Sequence, residues 1–388
     1  MSETLKTSFR EQIRILAYQH GFDLCHFSRP DVPEKDKQAL QTWVQSDKHG
    51  DMDWMAESER LERRKTPQSM LNGVKTVISV AMRHAEPAYT LKQAISSQRQ
   101  GIIASYAHGV DYHDVMKKRL KAFARDLDAL IGEHGQRVYV DTAPVLEHAL
   151  AAASGLGWQG KHTLTIHKKQ GSWMLLGEIF TTAEIETDQP ASNHCGTCTA
   201  CIDICPTHAI IAPYIVDANL CISYLTIEYK GFIPHALRPL MGNHIYGCDD
   251  CQMVCPWNSK AEKVEHDFLA MNKENILPEL VSLLHLDDAS FRERFKKSPI
   301  KRTGRAALAR NICIAMGNSG DTSFRKPLLA CLNDESALVR GHAVWALGEL
   351  QKQITNHEDE ESIQHAIEAL QKIEQNSDVL KEIEVVLA

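Results

Sequence analysis

Eight of the chain's eleven cysteines fall in one stretch, as Cys195-x2-Cys198-x2-Cys201-x3-Cys205-Pro206, then Cys221, then Cys248-x2-Cys251-x3-Cys255-Pro256. No other feature restricts the fold so tightly. A cubane [4Fe-4S] cluster needs four thiolates at its corners; the short loop presents three, and the cysteine before proline points to a neighbouring cluster. The spacing therefore assigns Cys195, Cys198, Cys201 and Cys255 to one cluster, and Cys205, Cys221, Cys248 and Cys251 to a second. In the second set distant Cys221 supplies the third near ligand, a departure from the symmetric two-cluster pattern. Two structural zinc ions are the competing reading, but zinc knuckles do not use interleaved x2-x2-x3-Pro runs. Cys25, Cys313 and Cys331 lie outside the pattern and read as buried thiols.

The 388 residues suffice for two or three domains at roughly 150 residues each. No apolar run approaches the ~18 residues of a spanning helix, and the start, Met1 to Arg10, lacks the apolar segment of a signal peptide. We expect a cytoplasmic protein with no membrane partner, where a reducing environment leaves the cysteines to metal. A net charge of -7 gives no support for a nucleic-acid partner at the level of the whole chain. Charge is unevenly spread, however. Residues 291 to 310 hold eight basic residues and one acid, whereas 351 to 388 hold nine acids and three bases, so the acidic total conceals a basic stripe.

Apolar spacing predicts helices over 3–20 and 113–131, and β-branched runs predict strands at 74–82, 138–140, 163–166 and 173–181. The fold class is α+β multidomain. Residues 1–190 form an α/β domain, 191–275 a two-cluster ferredoxin-like domain, and 276–388 a wholly helical domain. In the last, Ala309-Arg-Asn-Ile-Cys-Ile-Ala-Met-Gly-Asn318 resembles Val339-Arg-Gly-His-Ala-Val-Trp-Ala-Leu-Gly-Glu-Leu350, which suggests a short HEAT-like array of helix pairs.

Two adjacent clusters make an electron conduit, and the N-terminal domain is where something could be reduced. Gly155-Leu-Gly-Trp-Gln-Gly160 has the dinucleotide-binding spacing, but helix precedes it and strand follows, the reverse of what that motif requires. These glycines are expected to end a helix and let the backbone approach a flat ligand. Asp141, before Thr-Ala-Pro, reads as a helix N-cap or as a general acid whose pKa burial would have to raise. Arg60 to Pro67 is a charge run, more often a solvated face than a site. Asp111-x-His113 opens like the cobalamin-ligating Asp-x-His-x-x-Gly motif, but the expected glycine is Met116, so His113 reads as a surface or capping residue.

Ordered blocks along nearly the whole chain resemble one family, the epoxyqueuosine reductases. They are Arg64-x-x-Pro67, Tyr106-Ala-x-Gly109-x-Asp111-Tyr-His113, Val140-Asp-Thr142, Gly157-Trp-x-Gly-Lys161, both cysteine runs with Cys221-Ile-Ser-Tyr-Leu225, Tyr246-Gly-Cys-Asp-x-Cys251, and the 340–348 repeat. The resemblance implies a nitroreductase-like N-terminal domain and a cobalamin, bound base-off between it and the ferredoxin domain with no histidine to the cobalt. It implies reductive removal of the epoxide oxygen of epoxyqueuosine at the tRNA wobble position. By the same resemblance Asp141 is the proton donor, Arg64 contacts the corrinoid, and Ala104, Thr165, Leu176 and Ser223 line the cofactor. Lys230, Lys296, Lys297, Lys301, Arg302 and Arg305 then become candidate tRNA-phosphate ligands, with a solvated basic face as the alternative. A flavodoxin- or ferredoxin-like electron donor and a monomeric state complete the expectation. The competing functions are a ferredoxin-type carrier without catalysis and a reductive dehalogenase-like enzyme acting on a small molecule.

Overall fold

The structure, a computed structural model, describes residues 8–262 and 272–388. Its N-terminal part is built on four antiparallel strands, β1 (Leu24–Ser28), β2 (Thr76–Arg83), β4 (Gln136–Val140) and β7 (Met174–Thr181), in the order β1-β2-β7-β4. Short pairs add β3 (Ile102–Ile103) with β10 (His244–Tyr246), β5 (Trp158–Gln159) with β6 (Thr165–Ile166), and β8 (Ile210–Ala212) with β9 (Ile215–Val216). Both faces of the main sheet are covered, which is why every residue of β2 is buried and the strand reads as an almost unbroken apolar run. On one face Cys25, Phe27, Ile78, Val80 and Ile179 meet helices Phe9–Gln19 and Tyr112–Ile131. Gly177 lets the second helix close in, since a Cβ there would fall 2.9 Å from Met116 Cε. On the other face Val77, Ala81, Leu176 and Phe180 meet helix Glu147–Ala153. The helix expected over 3–20 occupies Phe9–Gln19, and residues 3–7 lie outside the described residues.

The cysteine-rich segment is nearly all loop, with one-turn helices Ala200–Asp203 and Asp250–Met253 inside the two cysteine runs and helix Ile222–Ile227 after Cys221. It is tied to the N-terminal part by the parallel β3–β10 pairing, His244 opposite Ile102. The C-terminal part stacks helices Arg305–Ser319, Ala337–Gln351 and Ser377–Leu387, with Arg325–Cys331 and His357–Gln371 beside them. The first two of these are buried on nearly every side, as expected of a helix-pair repeat whose units cannot cover their own apolar faces. One continuous core runs from Ile103 and Ala107 through Leu225, Ile233 and Ile245 to Leu308, Ala343 and Ile383. The second and third sequence segments therefore share a core.

Candidate active site and cluster cradle

The eight clustered cysteines separate into two sets of four in space. Cys195, Cys198, Cys201 and Cys255 line a cavity of about 220 Å³, together with Lys161, His194 and Trp257. Cys205, Cys221, Cys248 and Cys251 line a second cavity of about 370 Å³. Each set is the one that the spacing assigned. None of the eleven cysteines is in a disulfide. Burial first, then the neighbouring sulfurs of Cys248 and Cys221, push the Cys251 thiol well above its ordinary value. Four thiolates crowded here would repel one another strongly unless a cationic iron-sulfur core lay between them, so the donor set fits a cluster. The loops are braced from outside. Lys161 Nζ donates to the carbonyls of Gly196 (2.7 Å) and Cys198 (2.9 Å), Asp249 accepts from the Ser105 N–H (2.7 Å), and His244 meets Asp250 (3.0 Å).

The larger cavity extends from the second cysteine set to the main sheet. Ala104, Thr165, Leu176 and Ser223 all line it, with Tyr106, Tyr112, His148, Leu175 and Ile222. Its wall combines apolar side chains with polar groups not fully spent, among them His162 Nε2, buried without a hydrogen-bond partner. Burial keeps His148 and His162 neutral by lowering their pKa values, His162 to about 4. A flat macrocycle with amide-bearing edges needs this kind of lining, apolar beneath the ring and polar at its rim.

Asp141 stands outside that lining, at the end of β4. It caps no helix. Helix Glu147–Ala153 begins six residues later, with Leu146 at its N-cap and no side-chain cap, because residues 141–144 form a turn instead. Tyr112, which does line the cavity, stacks on the His113 ring with 3.9 Å between centroids, and burial followed by the charge of nearby Asp141 raises its pKa. His113 Nε2 lies 3.0 Å from Asp141 Oδ2 while its Nδ1 lies 2.7 Å from Asp111 Oδ1. Burial works against a charged His113, but the two carboxylates outweigh it and raise its pKa. With a carboxylate at each ring nitrogen the ring is an imidazolium. Nearby protein pushes Asp141 up, but its side chain is 56% exposed, and the hydrogen bond from His113 with the charges of His113 and Arg302 holds the carboxyl below the usual range. A general acid with a raised pKa is thus not what this geometry presents. His113, expected at the surface or as a cap, is instead 14% exposed and is the partner of Asp141, while Asp111 is the true N-cap. The Asp111-Tyr-His113 block was visible in the sequence; that its histidine faces Asp141 depends on β4, 28 residues away.

The basic stripe reaches this centre. The Asp111 N–H donates to Lys297 O (2.5 Å), and Arg302 Nη1 lies 3.1 and 3.4 Å from the two nitrogens of His113. Both ring N–H groups already meet carboxylates, so an imidazolium has no lone pair left to accept from the guanidinium, which adds positive charge beside Asp141. Lys296, Lys297, Lys301 and Arg302 are exposed, Lys296 beside Glu293. Arg305 is not available in the same way. It makes a two-pronged pair with Asp334 (2.8 and 2.9 Å) and is 10% exposed. Lys230, just beyond helix Ile222–Ile227, donates to Ile227 O at the helix end. Arg64, in helix Ser58–Lys65, is buried rather than solvated, donates to Trp54 O (3.2 Å), and does not line the cavity.

Gly155 and Gly157 pack closely against the protein's own backbone, and Gly160 against the Ile166 and His162 side chains. Gly155 follows helix Glu147–Ala153 at φ +78°, and a Cβ there would fall 2.2 Å from Gln189 O; at Gly157 it would fall 2.6 Å from Ile166 O. The helix-ending role expected of them holds, but the close approach is to neighbouring backbone.

Comparison with known families and structures gives three matching models: epoxyqueuosine reductase QueG over residues 64–142, a 4Fe-4S double cluster binding domain over 194–258, and HEAT repeats over 300–372. The chain is 43% identical over 346 residues to the epoxyqueuosine reductase of Xanthomonas campestris pv. campestris, covering 88% of this chain and 96% of that protein. It is 38% identical over 350 residues to the Escherichia coli K12 epoxyqueuosine reductase, covering 90% and 92%. Among solved structures, an epoxyqueuosine reductase with an epoxyqueuosine-modified tRNA-Tyr stem loop superposes with a TM-score of 0.87 at 28% identity, over 97% of this chain and 98% of that one. The Streptococcus thermophilus enzyme gives 0.85 at 29%, over 97% of both chains.

Proposed function

The chain belongs to the epoxyqueuosine reductase family, and from that premise we propose that the cavity between the second cysteine set and the main sheet is where epoxyqueuosine in tRNA is reduced to queuosine. It is an iron-sulfur oxidoreductase. The observation that carries the proposal is continuity. The four cysteines of the second set and Tyr112 line one cavity, Tyr112 stacks on His113 with 3.9 Å between ring centroids, and His113 Nε2 lies 3.0 Å from Asp141 Oδ2.

Removing the epoxide oxygen as water takes up two electrons and two protons. When bound, the clusters supply electrons singly and a base-off cobalamin supplies a strongly reducing cobalt, chemistry no side chain offers. Ala104, Thr165, Leu176 and Ser223, which line the cavity, would hold the corrinoid. Asp141 protonates the departing oxygen, so that an alkoxide does not accumulate. Arg64 is buried outside the cavity lining, with its guanidinium on Trp54 O, and would act on the corrinoid's surroundings rather than on the cavity wall itself. Lys297, Lys301 and Arg302 receive the phosphates of the anticodon loop, whose wobble base enters the cavity extruded, as a single-stranded base readily does. A phosphate that draws Arg302 away removes one of the charges that hold Asp141 low, which favours the protonated acid when substrate is present.

The test is anaerobic. The reconstituted protein is incubated with cobalamin, a low-potential reductant and epoxyqueuosine-containing tRNA, and the digested nucleosides are weighed by mass spectrometry. Loss of one oxygen only when cobalamin is present is the expected result. Unchanged epoxyqueuosine, with iron and cobalamin occupancy verified, overturns the reading.

A further inference from the structure

One row of exposed cations starts beside Asp141 and is not used by the reaction above. Helix Tyr112–Ile131 opens at the site, with Asp111 as its N-cap and His113 Nε2 3.0 Å from Asp141 Oδ2. Its Met116, Leu120, Phe123, Ala124 and Leu127 are buried against the sheet, which leaves the opposite side to solvent. Steps of four from His113 give Lys117, Lys121 and Arg125, all exposed, with exposed Lys118 at their edge. Residues four apart lie one above another on a helix. The cations therefore continue the line of His113 along the helix for about 18 Å, at 1.5 Å per residue.

A charged helix face is ordinarily laced with acids of the opposite sign. This one is not. Asp126 is drawn to His20 (2.8 Å) and Asp128 to His134 (3.3 Å). Asp114 lies in the first turn, where the helix N-terminus favours an acid, and pairs with neither Lys117 nor Lys118. Among the described residues, the side chains of Lys117, Lys118, Lys121 and Arg125 make no hydrogen bond or ion pair. Like charges four apart disfavour a helix, and a polyanion laid along them removes that repulsion.

The row is continuous with the cations placed on the RNA above. The Asp111 N–H donates to Lys297 O and Arg302 Nη1 lies 3.1 Å from His113 Nε2, so both sets of positive charge meet at the start of this helix. The far end of the helical segment is unfavourable for RNA by comparison, since helix His357–Gln371 exposes Glu358, Glu360 and Glu361. A base that enters the cavity belongs to the turn of its loop. The end of the row, about 18 Å from His113, is within reach of the stem that continues from that loop.

We propose that Lys117, Lys121 and Arg125 form a second phosphate-binding surface, which holds the paired stem of the substrate RNA while residues 297–302 hold its loop. This rests on the reading of the cavity given above. Contacts to phosphate fix the orientation of the RNA without reading its sequence, so the row sets how the loop is presented to the cavity and not which stem is bound.

The test uses the full chain and two RNAs, an anticodon stem loop and its unpaired loop sequence alone, with binding followed across a salt series. For the stem loop, Lys117→Ala with Lys121→Ala should weaken binding about tenfold at low salt and lower the slope of log K against log salt by about 1 to 2. Binding of the loop alone should stay within about twofold of wild type. Lys352→Ala with Lys372→Ala, which removes the same charge at the far helices, should alter neither. A stem-loop slope that stays at the wild-type value in the Lys117 and Lys121 variant overturns the second surface, as does an equal loss for the loop alone or an equal loss in the control pair. Wild type that binds neither RNA overturns the RNA reading of the cavity and the row with it. A slope that falls in Lys301→Ala with Arg302→Ala but not in the helix variant overturns the row alone. If the alanine pair melts differently from wild type, Lys117→Gln with Lys121→Gln decides by the same slopes.

Discussion

At His113 two carboxylates share one ring, and the direction of each pKa follows from that arrangement. His113 is raised, so the stability of its charged contacts is fully present below its unfolded value of about 6.5 and is lost as pH rises through its higher folded value. Asp111 and Asp141 are lowered, so their contribution is present above about 3.9 and is lost as pH falls through the lower folded values. The ring resonance of His113, followed by NMR and identified by its absence in His113→Gln, should titrate with a midpoint above 6.5, and in Asp111→Asn the midpoint should move down. A midpoint at or below 6.5 in wild type would mean that the imidazolium does not form. Asp141→Asn removes the proton carrier without altering shape, and single-turnover deoxygenation should drop by about 10²- to 10⁴-fold with iron content and cobalamin absorbance unchanged. A residual rate near that of wild type would relieve Asp141 of its role.

Elements were more legible than residues in some places and less in others. The β2 and β7 strands were visible because sheet faces covered on both sides demand continuous apolar runs, and the cluster sets were visible because a cubane imposes short fixed spacings. Asp141 was ambiguous because an acid before Thr-Ala-Pro satisfies a helix start equally well; the turn that separates it from Glu147–Ala153 is set by tertiary contacts. The apolar run of β7 gives no sign that Glu178, in its middle, is fully buried, because which strand face is covered depends on the helices packed against it. The basic stripe shows the same limit. Arg302 and Arg305 are three residues apart with equal formal charge, but one lies exposed beside His113 and the other is closed onto Asp334. Replacing Lys301 and Arg302 by Ala should weaken binding of an anticodon stem loop and reduce the slope of log K against log salt by about 1 to 2. Arg305→Ala should leave that slope unchanged and lower the melting temperature instead. Equal slopes for both variants would remove Arg302 from the RNA surface.

Across the whole molecule, the helical segment is built into the cysteine-rich segment rather than appended to it. Arg310, fully buried, donates to the carbonyls of Leu225, Tyr229 and Gly231, and Asn311 donates to those of Thr226 and Ile245. Those carbonyls belong to the backbone that carries Cys221 on one side and leads into Cys248 on the other. Helix Arg305–Ser319 thus fixes two of the four ligands of the second cluster from behind, using groups that an isolated repeat would never bury. Arg310→Met would leave one buried and two partly buried carbonyls without their donor, a loss of about 3 kcal/mol. The loss should be local. Iron content should fall by about half because only the second set of cysteines loses its geometry, while the first, braced by Lys161 on the Gly196 and Cys198 carbonyls, keeps its cluster. Cys201→Ser supplies the opposite case, losing the first cluster and retaining the second. Electron paramagnetic resonance of the reduced variants separates the two, and an Arg310→Met protein that holds both clusters at wild-type occupancy would show that the helical segment does not support the redox centre.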